Sequence, residues 1–118
     1  MIKKNVTGVN YDEKGHVIPD LTLTIKNVYA LQIIEGTKTE EYRGSKEYYH
    51  KIFGKKVIKG LCKDVPKVIK FHNRHNKYLI VLFKNVWYDQ FNKYIPEGMK
   101  KGDRAYTLEV DQVLEHNF

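Results

Sequence analysis

Tyr78-Leu79-Ile80-Val81-Leu82-Phe83 is the longest uninterrupted apolar run in the chain, and its reading decides the fold. Six residues are too few to span a bilayer and short for a helix. Successive side chains of a strand point to opposite faces, so a run that is apolar at every position is buried on both. The segment predicts a central strand, and the remainder of the chain must cover its two faces.

The flanking sequence supplies short strands. Asn85 to Tyr88 extends the run toward an aromatic end, and His72-Asn73-Arg74-His75-Asn76 reads as a polar hairpin loop before it. Upstream, 56–59 and 67–70 each place lysines around a Val-Ile pair, the pattern of lysine-rich, edge-like strands. Residues 60–66 between them are expected to form a loop, because Pro66 cannot donate to a ladder. Ser45 as N-cap, Tyr49, Ile52 and Phe53 at helical spacing, and Gly54 as a left-handed cap predict one short helix over 46–53. At the N-terminus, 6–11 and 16–18 form a hairpin with its tip at 12–15. Leu21, Leu23 and Ile25 alternate with polar residues in a strand over 21–28, and 30–34 continues the sheet. Residues 89–102 form an irregular connection with a Pro-Glu-Gly turn at 96–98. A terminal strand turns Tyr106, Leu108, Val110, Gln112 and Leu114 to one face and Thr107, Glu109, Asp111 and Val113 to the other.

Six or seven short strands with one brief helix predict a mainly β fold, a small, mainly antiparallel β-barrel capped by the helix. The alternative is an α+β domain with an open sheet. Lys100-Lys101-Gly102-Asp103-Arg104 followed by an alternating terminal strand resembles the closing strand of OB-like and SH3-like barrels, and the resemblance implies that architecture. A length of 118 residues predicts a single domain, residues 1–118, with one core.

The charge is concentrated. Arg43 to Lys84 holds ten Lys and two Arg against Glu47 and Asp64, although the whole chain carries only +7. Rings are interleaved with these cations, among them Tyr48, Tyr49, Phe71, Trp87 and Tyr88. Cations with interspersed rings suit a surface that follows a phosphate backbone and stacks bases. The predicted binding residues are Lys55, Lys56, Lys59, Lys67, Lys70, Arg74 and Lys77 for phosphates, with Tyr49, Phe71 and Trp87 for stacking. Lysine outnumbers arginine eighteen to three, which favours sequence-neutral backbone contact over bidentate base reading. The short helix gives no recognition element for a duplex groove.

The expected function is a small, basic, non-enzymatic protein that binds single-stranded or structured RNA or DNA with little sequence specificity. No phosphate loop, nucleophile elbow or paired-carboxylate motif is present. A ribonuclease-type activity without metal is the enzymatic alternative. A second reading is an accessory factor or inhibitor whose basic face docks an acidic protein. A third is a structural protein that self-assembles through an edge at 106–114. His72 and His75 lack nearby carboxylates to complete a metal site, so no metal or cofactor is expected. With one cysteine, Cys62, no disulfide framework exists, and the charged start of the chain lacks a signal peptide's apolar run. The expectation is a cytoplasmic protein with no membrane segment.

Overall fold

The computed structural model describes residues 6–91, 95–96 and 98–118 of the chain. An N-terminal hairpin, β1 (Asn10–Tyr11) and β2 (Val17–Ile18), turns on the expected tip, where Asp12 Oδ1 accepts from the Lys14 and His16 amides. Strand β3 (Leu21–Thr24), helix α1 (Asn27–Glu35), strand β4 (Glu40–Gly44) and helix α2 (Glu47–Phe53) follow. β5 (Val57–Ile58) and β6 (Leu61–Cys62) make a second small hairpin. β7 (Val68–His72), β8 (Tyr78–Gln90) and β9 (Arg104–His116) complete the order.

β8 is the spine, as its apolar run predicts. β7 and then β6 pair with successive parts of one of its edges, and β9 pairs along the other. β3 lies outside β7, β5 outside β6 and β4 outside β9. Among the described residues this makes a mainly β fold whose seven-stranded sheet curls into a half-barrel. The pairing is antiparallel except between β3 and β7, which run parallel. A parallel pair needs a long crossover, and here α1, β4, α2, β5 and β6 lie between the two strands.

Each face of β8 has its own cover. Leu79, Val81 and Phe83 point into the curl, where Phe53, Phe71 and Leu108 pack with Ala30 and Ile33 of α1. Ile80 and Leu82 point outward, with Val68, beneath Val9 and Val17 of the N-terminal hairpin. Fully burying each such side chain contributes about 1.5–3 kcal/mol. The hairpin therefore acts as a lid on the second face.

Several expectations fail for local reasons. Residues 27–28, expected to end the strand over 21–28, and 30–34 are helical, not extended: Ala30 and Ile33, one turn apart, are 0% and 2% exposed. Gly36 ends that helix at φ 85, with its own and the Thr37 amide bonded back to Ile33 and Gln32, so the Glu35-Gly36 break is a helix stop. α2 forms where predicted, but Lys46, not Ser45, is its N-cap, and Gly54 caps it at φ −93 rather than in the left-handed region. Residues 60–66 are not all loop, because Lys59 and Gly60, at φ 52 and φ 85, make a two-residue hairpin turn into β6. In β9, register shifts opposite Ile80–Asn85 change the facing side chains. Val113 packs with Tyr106 and Leu108 inside the curl, while Leu114 joins the outer cluster. Residues 105–109 also pair with β4, so that part of the expected self-assembly edge is already occupied. The Pro-Glu-Gly turn at 96–98 includes residue 97, outside the described residues.

Candidate nucleic-acid interface

The predicted phosphate contacts do not converge. Lys59 sits in the β5–β6 turn, and β6 pairs with β8 at Val86 and Trp87. Arg74, at φ 68, lies in the β7–β8 turn beside Tyr78. At about 3.3 Å per residue the two ends of that β8 segment are roughly 30 Å apart. β6 and β7 follow one another along β8 and are not side by side, which splits the stripe. Lys55, Lys56 and Lys59 are exposed at one end, with Lys67 exposed between. Lys70 is half-buried with its Nζ 5.2 Å from the Tyr78 ring, and Lys77 Nζ donates to the Asn117 carbonyl at 2.8 Å.

The rings divide similarly. Phe71 is 0% exposed, so it offers no face to a base and its stacking role is withdrawn. Tyr49 is half-buried, stacked on Phe53 and bonded through its hydroxyl to Arg43. Trp87 is half-buried and donates its Nε1–H to Glu109. Tyr48 is the outward member of its pair, 55% exposed and edge-on to Tyr49.

A different set of cations does converge. The outer edges of β3 and β4 face each other across the mouth of the half-barrel, and a cleft of about 620 Å³ lies there. Lys26 from the start of α1, Arg43 of β4, Lys46 before α2 and Arg74 of the β7–β8 turn line it, with Tyr29 and Tyr49. Four cations face one carboxylate, Glu41, and His72 is also in the wall. A second cleft of about 570 Å³ shares Tyr29, Glu41 and Tyr42 with the first.

Local chemistry fixes this cleft. Arg43 Nη2 donates to Glu41 at 3.0 Å and to the Thr24 carbonyl at 2.8 Å, and Nη1 donates to Tyr49 Oη at 3.1 Å. The guanidinium thus ties β4 to the free edge of β3, while its buried Nε has no partner among the described residues. Glu41 is itself 5% exposed and has Lys38 at 3.6 Å. Arg74 is held at the rim by Asn73, whose Oδ1 accepts from the His75 and Lys77 amides and whose Nδ2 donates to Asn27 at 2.8 Å. No acidic residue occupies the first turn of α1, so nothing there offsets Lys26.

The sequence reading included Arg74 and Tyr49 but missed Lys26, Lys46 and the anchoring of Arg43. Their signal was faint: Lys26 and Lys46 each precede a helix, and Glu41-x-Arg43 places opposite charges on one face of a strand. Among the described residues no group of three His, Cys, Asp or Glu is arranged to hold a metal ion, and no helix is long and apolar enough to cross a membrane. Comparison with protein-family models, curated proteins and solved structures found no match to this chain.

Proposed function

We propose that the chain is a small nucleic-acid-binding module that holds a single strand, or an unpaired part of structured RNA or DNA, in the cleft between β3 and β4. The observation that carries this is the convergence of Lys26, Arg43, Lys46 and Arg74 on one groove with tyrosine walls. Lys26, Lys46 and Arg74 are exposed and contact phosphates. Arg43, committed to Glu41, shapes the floor. Tyr48 at the margin provides a stacking face, worth about 1–3 kcal/mol per base. Backbone charge and ring faces are features of every nucleotide, so the binding is largely independent of sequence. We read the sheet as an OB-like or SH3-like barrel opened at one seam, with β3-β7-β8-β9-β4 as its wall. The Arg43 bridge to the Thr24 carbonyl supports that reading, and a single buried thiol accords with a cytoplasmic setting.

Fluorescence anisotropy with mixed-sequence oligonucleotides at low salt tests the proposal. Lys46→Glu with Arg74→Glu abolishes binding, whereas Lys56→Glu with Lys67→Glu leaves most of it. Equal losses from both pairs would remove the cleft from the account.

A second reading has its own observation. Val57 and Ile58 are 41% and 48% exposed on β5, whose neighbours Lys55, Lys56 and Lys59 are exposed cations. An acidic protein segment adding a strand to this edge uses both features. A stoichiometric protein partner that survives nuclease treatment and is lost on Ile58→Pro supports it. Capture that disappears with nuclease counts against it.

A further inference from the structure

Ser45 lies between two cleft residues, Gly44 and Lys46, yet its hydroxyl is engaged elsewhere. Its Oγ is 3.3 Å from His50 Nε2 and 2.7 Å from Tyr88 Oη. The other ring nitrogen, His50 Nδ1, bonds to Tyr106 Oη. One chain of polar groups thus joins the β4–α2 link and α2 to the distant strands β8 and β9. The imidazole is also held edge-on by both phenols, at 5.8 Å from the Tyr88 ring and 5.5 Å from that of Tyr106. The contact demands a special residue beside it, since a Cβ at Gly54 would lie 2.6 Å from the Tyr106 hydroxyl.

We propose that Ser45 is a nucleophile activated by His50, in a second site that hydrolyses carboxylic esters. A nucleophile bonded to a base whose far nitrogen is oriented by a third group is the arrangement that covalent catalysis requires. Apo distances are often looser than working ones. Tyr106 is the positioning residue: 1% exposed, with burial raising its pKa first and the nearby Cys62 next, it stays a neutral phenol. With the proton on Nδ1, His50 donates to Tyr106 and leaves Nε2 to accept from Ser45. Tyr88, its hydroxyl 2.7 Å from Oγ, turns to donate to the oxyanion that forms when Ser45 attacks.

The steps balance. Oγ bonds to the ester carbonyl carbon while its proton moves to Nε2. The carbon–alkoxy bond breaks, and the leaving alcohol takes that proton. Water then attacks the acyl-Ser45, gives its proton to His50, and Oγ departs with it, releasing the carboxylic acid. Ser45 and His50 are exposed, so an ester reaches them without any opening of the fold.

The test is labelling of the full chain with a fluorophosphonate, in which Oγ bonds to phosphorus and fluoride leaves. Stoichiometric modification at Ser45, slowed about a hundredfold or more by His50→Ala and partly restored by added imidazole, is the expected result. Nitrogen-15 NMR of the wild-type imidazole reads the tautomer directly: Nδ1–H is expected, and Tyr106→Phe shifts that signal. In the opposite polarity the phenol donates to Nδ1, Nε2–H donates to Ser45, and the hydroxyl is inert. That tautomer, no modification at Ser45, or labelling indifferent to His50 would each overturn the assignment.

Discussion

Arg43 bridges β4 to the edge of β3 at the seam, and Arg43→Met tests what that bridge contributes. The substitution keeps most of the volume but removes the bonds to Glu41, Tyr49 and the Thr24 carbonyl. It also uncovers the Phe71 ring, 5.5 Å from the guanidinium. Glu41, 5% exposed, is left with Lys38 at 3.6 Å and the Tyr42 amide at 3.1 Å. Breaking a buried pair by removing one partner costs about 3–5 kcal/mol, and the surviving Lys38 contact sets the expectation near the lower end, about 3 kcal/mol. For a chain of this length that lowers Tm by about 12 °C. The double variant Glu41→Gln with Arg43→Met leaves no buried charge, and its cost falls to about 1 kcal/mol, about 2 kcal/mol less than that of Arg43→Met alone. Urea unfolding followed through Trp87, the one tryptophan in the sequence, measures both. A cost below about 1 kcal/mol for Arg43→Met, or a double variant less stable than the single one, refutes the reasoning.

Gly54→Ala places a methyl 2.6 Å from Tyr106 Oη and 2.8 Å from the His50 carbonyl. It is expected to cost about 1–3 kcal/mol by overpacking, partly recovered in a Tyr106→Phe background, as thermal melts will show. Burial, with Asp89 adding to it, lifts the Cys62 thiol from 9.0 to about 11. The unfolded thiol therefore ionises first, and stability present below pH 9 falls as pH rises toward 11, by up to roughly 2–3 kcal/mol. Tyr78 and Tyr106, also raised, add to the alkaline loss, so the difference between wild type and Cys62→Ala in pH-dependent unfolding reads the thiol together with its effect on Tyr106; equal slopes would count against it. Phe71→Leu, at a fully buried position, lowers stability by about 1 kcal/mol and leaves oligonucleotide affinity unchanged. A tenfold affinity loss without unfolding would return Phe71 to the binding surface.

What was legible in the sequence was what short-range pattern controls. Tyr78 to Phe83 announces its burial because no position in it is polar, and the 12–15 tip announces a turn through Asp12 and Gly15. Tyr49, Ile52 and Phe53 mark α2 by their spacing. Residues 30–34 misled because Ala30 and Ile33 satisfy one helical face while Leu31, 44% exposed, mimics continued burial. The β9 faces were misassigned because the bulges opposite β8 belong to the pairing and not to the strand itself. The site was least legible. Its cations come from positions 26, 43, 46 and 74, in three separate stretches brought together by the parallel placement of β3 and the curl of the sheet. Counting rings and lysines along the chain selected Phe71, which composition cannot distinguish from an exposed aromatic. The same count overlooked Lys26, which stands outside the basic stripe.

The central claim is that a nucleic-acid strand lies in the β3–β4 cleft, and the salt dependence of oligonucleotide binding tests it most directly. Three exposed cations, Lys26, Lys46 and Arg74, give a slope of log K against log salt of about −2 for a single strand, so affinity falls roughly twentyfold between about 50 and 200 mM salt. Removing the Lys46 charge reduces the slope by about 0.7, and removing that of Lys56 leaves it unchanged. Binding that is absent even at low salt, or a slope that responds to Lys56 and not to Lys46, would contradict the account.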